Sequence, residues 1–388
     1  MNTKRPIEPL PFSVYFLAVT ALAFAGLLDA VYLAVSHYRV YTDIGYKSFC
    51  AISKSINCDT VSQSPFSIFI NLPVPVWGII GYTFFMLFLP VAWRYRAEKK
   101  PIWTLLFLIS LLFSAYSVVL ALISSFVIHS YCIMCILSYA ISFMLLFFTY
   151  LVRKRYGIKG FVDNLRHDIG YLWEAKKRSL ALFVPFAVGI ALVLITFPVY
   201  WSFDAPVFSA DIPRGITADG HPWIGAQNPK LEIVEFADYQ CFQCNKMHFF
   251  LRQTLAKYPE RIRVIHRHFP MDHEVNPLVK SPVHIGSGKL AMLAIYAATQ
   301  NRFWQMNDIL FSIARVKPEI DIQELAKQTG LDQINLSRSL RDRNVRNSLK
   351  KDIVDGIKQG VRGTPSFVID GKVYQGQIPP ELLKKALD

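Results

Sequence analysis

Apolar and polar positions divide the chain into two halves with different periods. In the first half, five long apolar runs cover about residues 11–36, 73–93, 102–128, 131–152 and 180–201. Each reaches the ~20 residues that a helix needs to cross a bilayer. The first run contains Ala21-Leu22-Ala23-Phe24-Ala25, the small-residue spacing of a signal-peptidase site, but its apolar character continues well beyond, which predicts an uncleaved span. A stretch rich in Pro, Asp and Gly at 202–222 reads as a linker. Beyond it, residues 231–237 (LEIVEFA) predict a buried strand, and a helix follows Cys241 to about 258. Residues 262–269 predict a second strand, 288–358 a long helical stretch, 366–369 a short strand and 379–387 a closing helix. Asp370-Gly371 is a hairpin-turn signal. The pattern therefore predicts a polytopic α-helical membrane domain of five spans at 1–201, a linker at 202–222 and an α/β domain at 223–388, with no repeats and no low-complexity tract.

Composition agrees with membrane insertion, and charge orients it. The 388 residues are 53% hydrophobic, with a mean hydropathy of +0.30, too apolar for an ordinary soluble protein of this length. The formal net charge is +14. Lys4 and Arg5 precede the first run, and Arg94, Arg96, Lys99 and Lys100 sit between the second and third. Arg153, Lys154, Arg155, Lys159, Arg166, Lys176, Lys177 and Arg178 lie between the fourth and fifth. The opposite loop holds only Arg39, Lys47 and Lys54. A Lys/Arg excess marks the cytoplasmic side, so the N-terminus is expected inside and the region after the fifth span outside. The basic character is a topology signal and makes no case for nucleic-acid binding.

That orientation collects all six cysteines on one side. They fall into three sequence pairs: Cys50 with Cys58, Cys132 with Cys135, and Cys241 with Cys244. An even count on an oxidising side fits disulfide chemistry, and two Cys-x-x-Cys pairs raise redox exchange above structural bridging. In Cys241-Phe242-Gln243-Cys244 a strand ends in a pair that opens a helix. The first sulfur then sits at a helix N-terminus, where the dipole favours thiolate. Cys244, one turn in, is expected to be better buried and to resolve mixed disulfides. Gly363-Thr364-Pro365 before a strand fits a cis-proline loop facing such a site. With these features, residues from about 222 to 388 resemble the thioredoxin superfamily in its DsbA-like branch, which carries a helical insertion between the second strand and the cis-proline. The resemblance implies a thioredoxin fold, with Cys241, Cys244 and Pro365 in its active site. Phe-Gln replaces the Pro-His of the strongly oxidising members, and Gln243 supplies no cationic imidazole, so the redox potential stays open.

On a helix, Cys132 and Cys135 at i and i+3 share a face, with Tyr139 one turn deeper. The loop pair Cys50 and Cys58, Ser64 six positions on, the Pro-rich entry to Trp77-Gly78, and Cys132-x-x-Cys135 followed by Tyr139 are similar to the vitamin K epoxide reductase (VKOR) family, in its bacterial form fused to a thioredoxin-like domain. This resemblance spans about 14–150 and implies a four-helix-bundle core. It also implies a quinone of ubiquinone or menaquinone type beside Cys132 and Cys135. Cys135 would face the quinone ring, Ser64 and Tyr139 would bond its oxygens, and Cys132 would exchange with either Cys50 or Cys58. The expected protein is a multi-pass enzyme of the bacterial inner membrane, partnered by lipid, quinone and reduced exported proteins. It would make disulfides by passing electrons from the thioredoxin-like domain through loop and membrane cysteines to quinone. The same parts could run in reverse and supply reductant for disulfide reduction or isomerisation.

Other readings compete at particular residues. Four membrane cysteines are a ligand set for zinc, but a metal there would leave the third pair without an exchange partner, so no metal is expected. A scaffold with three structural bridges is the non-enzymatic reading. Asp29 is an ionisable residue inside the first span, open to a structural role, solvated by water or His37, or to proton handling. His266, His268 and His273 with Asp272 have metal-ligand spacing but read as the end of a strand. Gly286-Ser287-Gly288-Lys289 lacks the earlier Gly and the following Ser or Thr of a phosphate loop.

Overall fold

The computed structural model describes residues 10–43, 45–52, 55–93, 101–157, 160–201, 212–314 and 320–387. Of the charges used for orientation, Lys4, Arg5, Lys54, Arg94, Arg96, Lys99, Lys100 and Lys159 lie outside the described residues, as does the linker segment 202–211. The chain divides into two compact units, Met1–Tyr200 and Trp201–Asp388.

The first unit is helical. It comprises α1 (Phe12–Thr42), α2 (Cys58–Ser62), the two-residue strands β1 (Ile68–Phe69) and β2 (Leu72–Pro73), α3 (Val74–Ala92), α4 (Trp103–Ile123), α5 (Ile133–Tyr156), α6 (Phe161–Glu174) and α7 (Lys176–Thr196). A π turn, Ser124–Ile128, prolongs α4. Five of these helices are long and apolar enough to cross a membrane. Helix α1 packs on α3 and α5, and α4 packs on α5, which makes a four-helix bundle. Its centre is apolar, with Val19, Ala23, Phe85, Leu106 and Leu145 fully buried. Gly26 lets α1 and α3 close together, since a Cβ there would collide with the Tyr82 ring. Helix α7 buries none of its residues and meets the bundle through Phe183 and Phe186 against Phe84 and Phe88.

The boundaries depart from the apolar runs where polar contacts take over. Helix α1 continues to Thr42 because the Arg39–Asp43 pair at 2.9 Å closes its polar end. The fourth span starts at Ile133, since Tyr131 is drawn into a parallel bridge with Ile56 and Cys132 becomes the N-cap of α5. The segment between the fourth and fifth spans, read only as a basic loop, contains α6. Its buried Asp168 accepts the backbone N–H groups of Ile102 and Thr104 at 2.8 Å and of Leu105 at 3.3 Å, capping α4. Ile102 precedes that helix at a left-handed φ of 75°, an outlier for a β-branched residue that Asp168 holds in place.

The second unit is a six-stranded sheet covered by helices. In chain order it contains β3 (Arg214–Ile216), β4 (Pro222–Gly225), β5 (Leu231–Ala237), α8 (Phe242–Lys257), β6 (Ile262–His268), α9 (Ser287–Thr299), α10 (Phe303–Ile313), α11 (Ile322–Thr329), α12 (Gln333–Ser339), α13 (Arg343–Gln359), β7 (Ser366–Ile369), β8 (Lys372–Gln375) and α14 (Pro380–Leu387). The strand order is β3-β4-β6-β5-β7-β8. Only β5 and β6 run parallel; the right-handed crossover between such strands is α8. The long helical stretch is five helices, α9–α13, inserted between β6 and β7. Asp321, Asp332 and Asp342 cap three of their starts, and left-handed Gly330 and Gly360 end two of them. The linker reading to 222 is too long, because β3 and the start of β4 lie inside it. Their Pro and Gly residues hide two short strands, paired where the Trp223 ring lies over Gly215.

Candidate active sites

In the second unit the site forms where β5 hands over to α8. Cys241 is the N-cap of α8 with extended backbone, and Cys244 lies one turn in with no solvent exposure. The Cys241 thiol donates to the Thr364 carbonyl at 3.4 Å, in the loop whose Thr364–Pro365 bond is cis. Cys244 Sγ accepts the Asp238 N–H at 3.4 Å. The hydrogen bond from Cys244 holds the Cys241 thiol down at about 7, aided by the nearby His284, whereas burial pushes Cys244 up. Of the two thiols, Cys241 therefore carries the greater share of thiolate and Cys244 stays protonated.

Two further residues belong to this site. Asp238 is buried and accepts from Gln240 N at 2.8 Å, Met271 N at 2.6 Å, His284 Nδ1 at 2.8 Å and Ser287 Oγ at 3.1 Å. His284 therefore brings an imidazole to the pair from a loop before α9, where Gln243 supplies none. No local pattern in the sequence marks it; only the turn of the chain after β6 places it there. Behind the site, Glu235 on β5 is buried beside His266, with Oε2 3.4 Å from Nδ1. Burial raises Glu235 to about 7 and lowers His266 and His268 to about 3. His266 and His268 do share a face of β6, their ring centroids 4.8 Å apart, and among the described residues no three His, Cys, Asp or Glu side chains gather as a metal site.

In the first unit, Cys50 and Cys58 form a disulfide. Cys132 and Cys135 are free. Cys50, Cys58 and Cys132 are buried together, with Leu33, Val61, Met134 and Cys135 packed against them. The backbone sets this meeting. Asn57 N–H donates to Tyr131 O at 2.9 Å and Tyr131 N–H to Ser55 O at 2.8 Å, so the loop ending at Cys58 runs alongside the chain entering Cys132. Cys132 does not sit on the helix with Cys135. As the N-cap of α5 it accepts the Cys135 N–H on its own sulfur at 3.3 Å.

Below this cluster the bundle opens into a cavity of about 560 Å³ lined by Cys135, Ser64 and Tyr139, by Ser138, Tyr116 and His37, and by apolar side chains including Phe66, Phe113 and Leu120. That volume and mixture suit a flat ring compound the size of a quinone headgroup. Ser64 Oγ donates to Val61 O at 2.8 Å, so its lone pairs face outward and its proton is free for a ligand only after rotation. His37 does not solvate Asp29. Its nitrogens are taken by Tyr200 OH at 2.8 Å and Ser67 Oγ at 3.2 Å. The Tyr200 contact also brings the exit of α7 to the end of the bundle that holds the cysteine cluster.

Residues 17–150 match the family described as Vitamin K epoxide reductase family, and residues 217–388 match a family described as Thioredoxin. The chain joins a vitamin K epoxide reductase domain to a thioredoxin domain. Five helices of the first unit are long and apolar enough to cross a membrane. Curated relatives include the Na(+)/H(+) antiporters NhaA 3 of Salinispora tropica, 27% identical over 42% of this chain and 24% of that protein, and NhaA 1 of Salinispora arenicola, 26% identical over the same shares. The chain spans about a quarter of the length of these relatives. Among solved structures, a thioredoxin-like oxidoreductase from Silicibacter pomeroyi is 22% identical with a TM-score of 0.35, covering 44% of this chain and 92% of that one. Pseudomonas aeruginosa DsbA2 is 23% identical with a TM-score of 0.34, covering 43% and 91%.

Proposed function

We propose that this protein is a thiol–disulfide oxidoreductase that makes disulfides in exported proteins and delivers the electrons to a membrane quinone. The observation that carries the reading is Cys135 in the wall of an apolar cavity among helices long and apolar enough to cross a membrane, with Cys132 and the Cys50–Cys58 disulfide packed against it. Ser64 and Tyr139 would hold a ring by its oxygens, and Cys135 would face it. A bound quinone supplies an acceptor for two electrons and two protons. The protein's own steps are disulfide exchanges, each a thiolate attack on a neighbouring sulfur. A substrate thiolate opens Cys241–Cys244 at Cys241, the less buried sulfur of the pair and the better leaving thiolate. The reduced pair opens Cys50–Cys58, and the reduced loop opens Cys132–Cys135. The basic-residue pattern supports an N-terminus in the cytoplasm and all three pairs on the outer face of a bacterial inner membrane. The purified full chain should oxidise a reduced test protein only when quinone is present, and removing any one of the six cysteines should stop it. Quinone-independent oxidation would overturn the reading.

A second reading, reverse flow, rests on Cys241. Its thiol at about 7 matches thioredoxin at about 7 more than DsbA at about 3.5. A less stabilised thiolate makes a less oxidising disulfide. Equilibrating the full chain, with the four membrane cysteines replaced by alanine, against glutathione decides between them. A potential near about −270 mV supports reduction, and one between about −120 and −180 mV supports oxidation.

A further inference from the structure

We infer that Asp29 and Ser138 form a proton relay between the Cys132–Cys135 thiols and the cavity. The inference rests on the quinone-reducing reading above and extends it to a pair of residues outside the disulfide exchange. Asp29 lies in the middle of the apolar α1, 4% exposed. Its Oδ2 accepts a close hydrogen bond from the Ser138 hydroxyl on α5, and its Oδ1 is buried with no hydrogen-bond partner. A buried carboxyl held by one bond is costly in an apolar bundle, and such a residue marks function rather than packing. Ser138 lines the cavity three positions after Cys135, on the same helix face. Because its proton points at Asp29, its lone pairs are turned towards the cavity side. The titratable groups that face Asp29 are Tyr82 from α3 and Cys132 and Cys135 at the start of α5. Ser138 is its hydrogen-bond partner among the described residues.

The chemistry supplies a task for this arrangement. When two thiols close to a disulfide, one S–S bond forms, two S–H bonds break, and two electrons and two protons leave. A quinone takes up both electrons and both protons, so no outside proton is needed, but the protons must pass from sulfur to oxygens in the cavity. A thiol proton passes to Ser138 Oγ as Ser138 gives its own proton to Asp29 Oδ2. The return hop through Ser138 delivers it to an oxygen in the cavity. Asp29 ends each cycle as it began.

The test uses the full chain in detergent. Asp29→Asn keeps the size and the Ser138 contact but removes the exchangeable carboxyl; Ser138→Ala cuts the link; Asp29→Glu restores a carboxyl. The first readout needs no quinone: infrared difference spectra between dithiol-reduced and oxidised protein should show a protonated-carboxyl band that D29N removes and D29E recovers. The second is ubiquinone-1 reduction driven by a small dithiol, where D29N and S138A should lower kcat at least tenfold with KM within twofold and D29E should recover much of it. An unchanged infrared spectrum, or D29N turnover at the wild-type rate and pH profile, overturns the relay. If the wild type itself reduces no quinone, the reading beneath it fails instead, and the infrared band then reports on Asp29 alone.

Discussion

His284 Nδ1 is bonded to Oδ2 of Asp238, three positions before Cys241, at 2.8 Å. This pair places a proton-carrying ring beside a Cys-x-x-Cys whose own intervening residues are Phe and Gln. The thiolate of Cys241 is favoured first by the Cys244 hydrogen bond and is aided by His284. In reduced protein, alkylation of Cys241 should therefore be half-maximal near about pH 7. His284→Ala should move that midpoint upward and slow alkylation below pH 7 by a few-fold, as read by mass spectrometry of the alkylated peptide. An unmoved midpoint would show that the Cys244 bond alone sets the thiolate.

Glu235 makes stability depend on pH with an unusual sign. Burial raises its folded-state value from 4.5 to about 7. A raised carboxyl contributes stability that is present below its ordinary value and lost as pH rises through the folded value. His266 and His268 act oppositely. Their folded values near 3 lie below the ordinary 6.5, so their contribution is lost as pH falls below 6.5. Glu235→Gln removes only the first effect. The variant should melt higher than wild type at about pH 8, with the gap closing towards pH 5, in thermal unfolding followed by tryptophan fluorescence. A gap that stays constant across this range would refute a buried, titrating Glu235.

Much of this was legible from local chemistry. The five apolar runs mark the five long helices to within a few residues, because bilayer thickness sets a length that any sequence must meet. The Cys241 strand-to-helix turn and the Asp370-Gly371 hairpin could be read because each depends on adjacent residues. What escaped depends on distant ones. His284 meets Asp238 only through the path after β6, and Ser138 meets Asp29 only through the packing of α5 on α1. Cys132 left its helix because Tyr131 pairs with Ile56, a contact 75 residues away in the chain. The strands β3 and β4 were lost among Pro and Gly that also spell a linker.

Asp168 shows the same dependence on distance and gives a stability prediction. Its carboxylate satisfies three backbone N–H groups at the start of α4 and holds Ile102 in a left-handed conformation. Each stranded buried donor costs ~1–3 kcal/mol. Asp168→Ala should therefore destabilise the first unit by about 3 kcal/mol or more, measured by thermal unfolding in detergent, and Asp168→Asn by less because an amide oxygen still accepts. A wild-type melting point for the alanine variant would mean that water or another side chain caps α4.

The backbone bridge also predicts which loop cysteine meets Cys132. Ile56 pairs with Tyr131 in parallel register, so the next residues run side by side and bring Cys58, at the start of α2, towards Cys132. Cys50 has no such backbone bridge to the Cys132 segment among the described residues and is tied to Cys58 by the disulfide. Removing Cys50 leaves Cys58 as a free thiol beside Cys132. In Cys50→Ala the Cys58 thiolate should therefore attack Cys132 of an oxidised Cys132–Cys135 disulfide and release Cys135 as thiolate, so that a Cys58–Cys132 mixed disulfide accumulates, detectable by non-reducing peptide mapping. The variant should keep quinone reduction driven by small dithiols that reach Cys132 and Cys135 directly, while electrons from the thioredoxin domain stop at the loop. Cys58→Ala should trap less mixed disulfide, since Cys50 must first swing past the vacated position. If Cys50→Ala still passes electrons from Cys241 and Cys244 to quinone at the wild-type rate, the loop pair is a structural bridge, and exchange between the thioredoxin domain and Cys132 is direct.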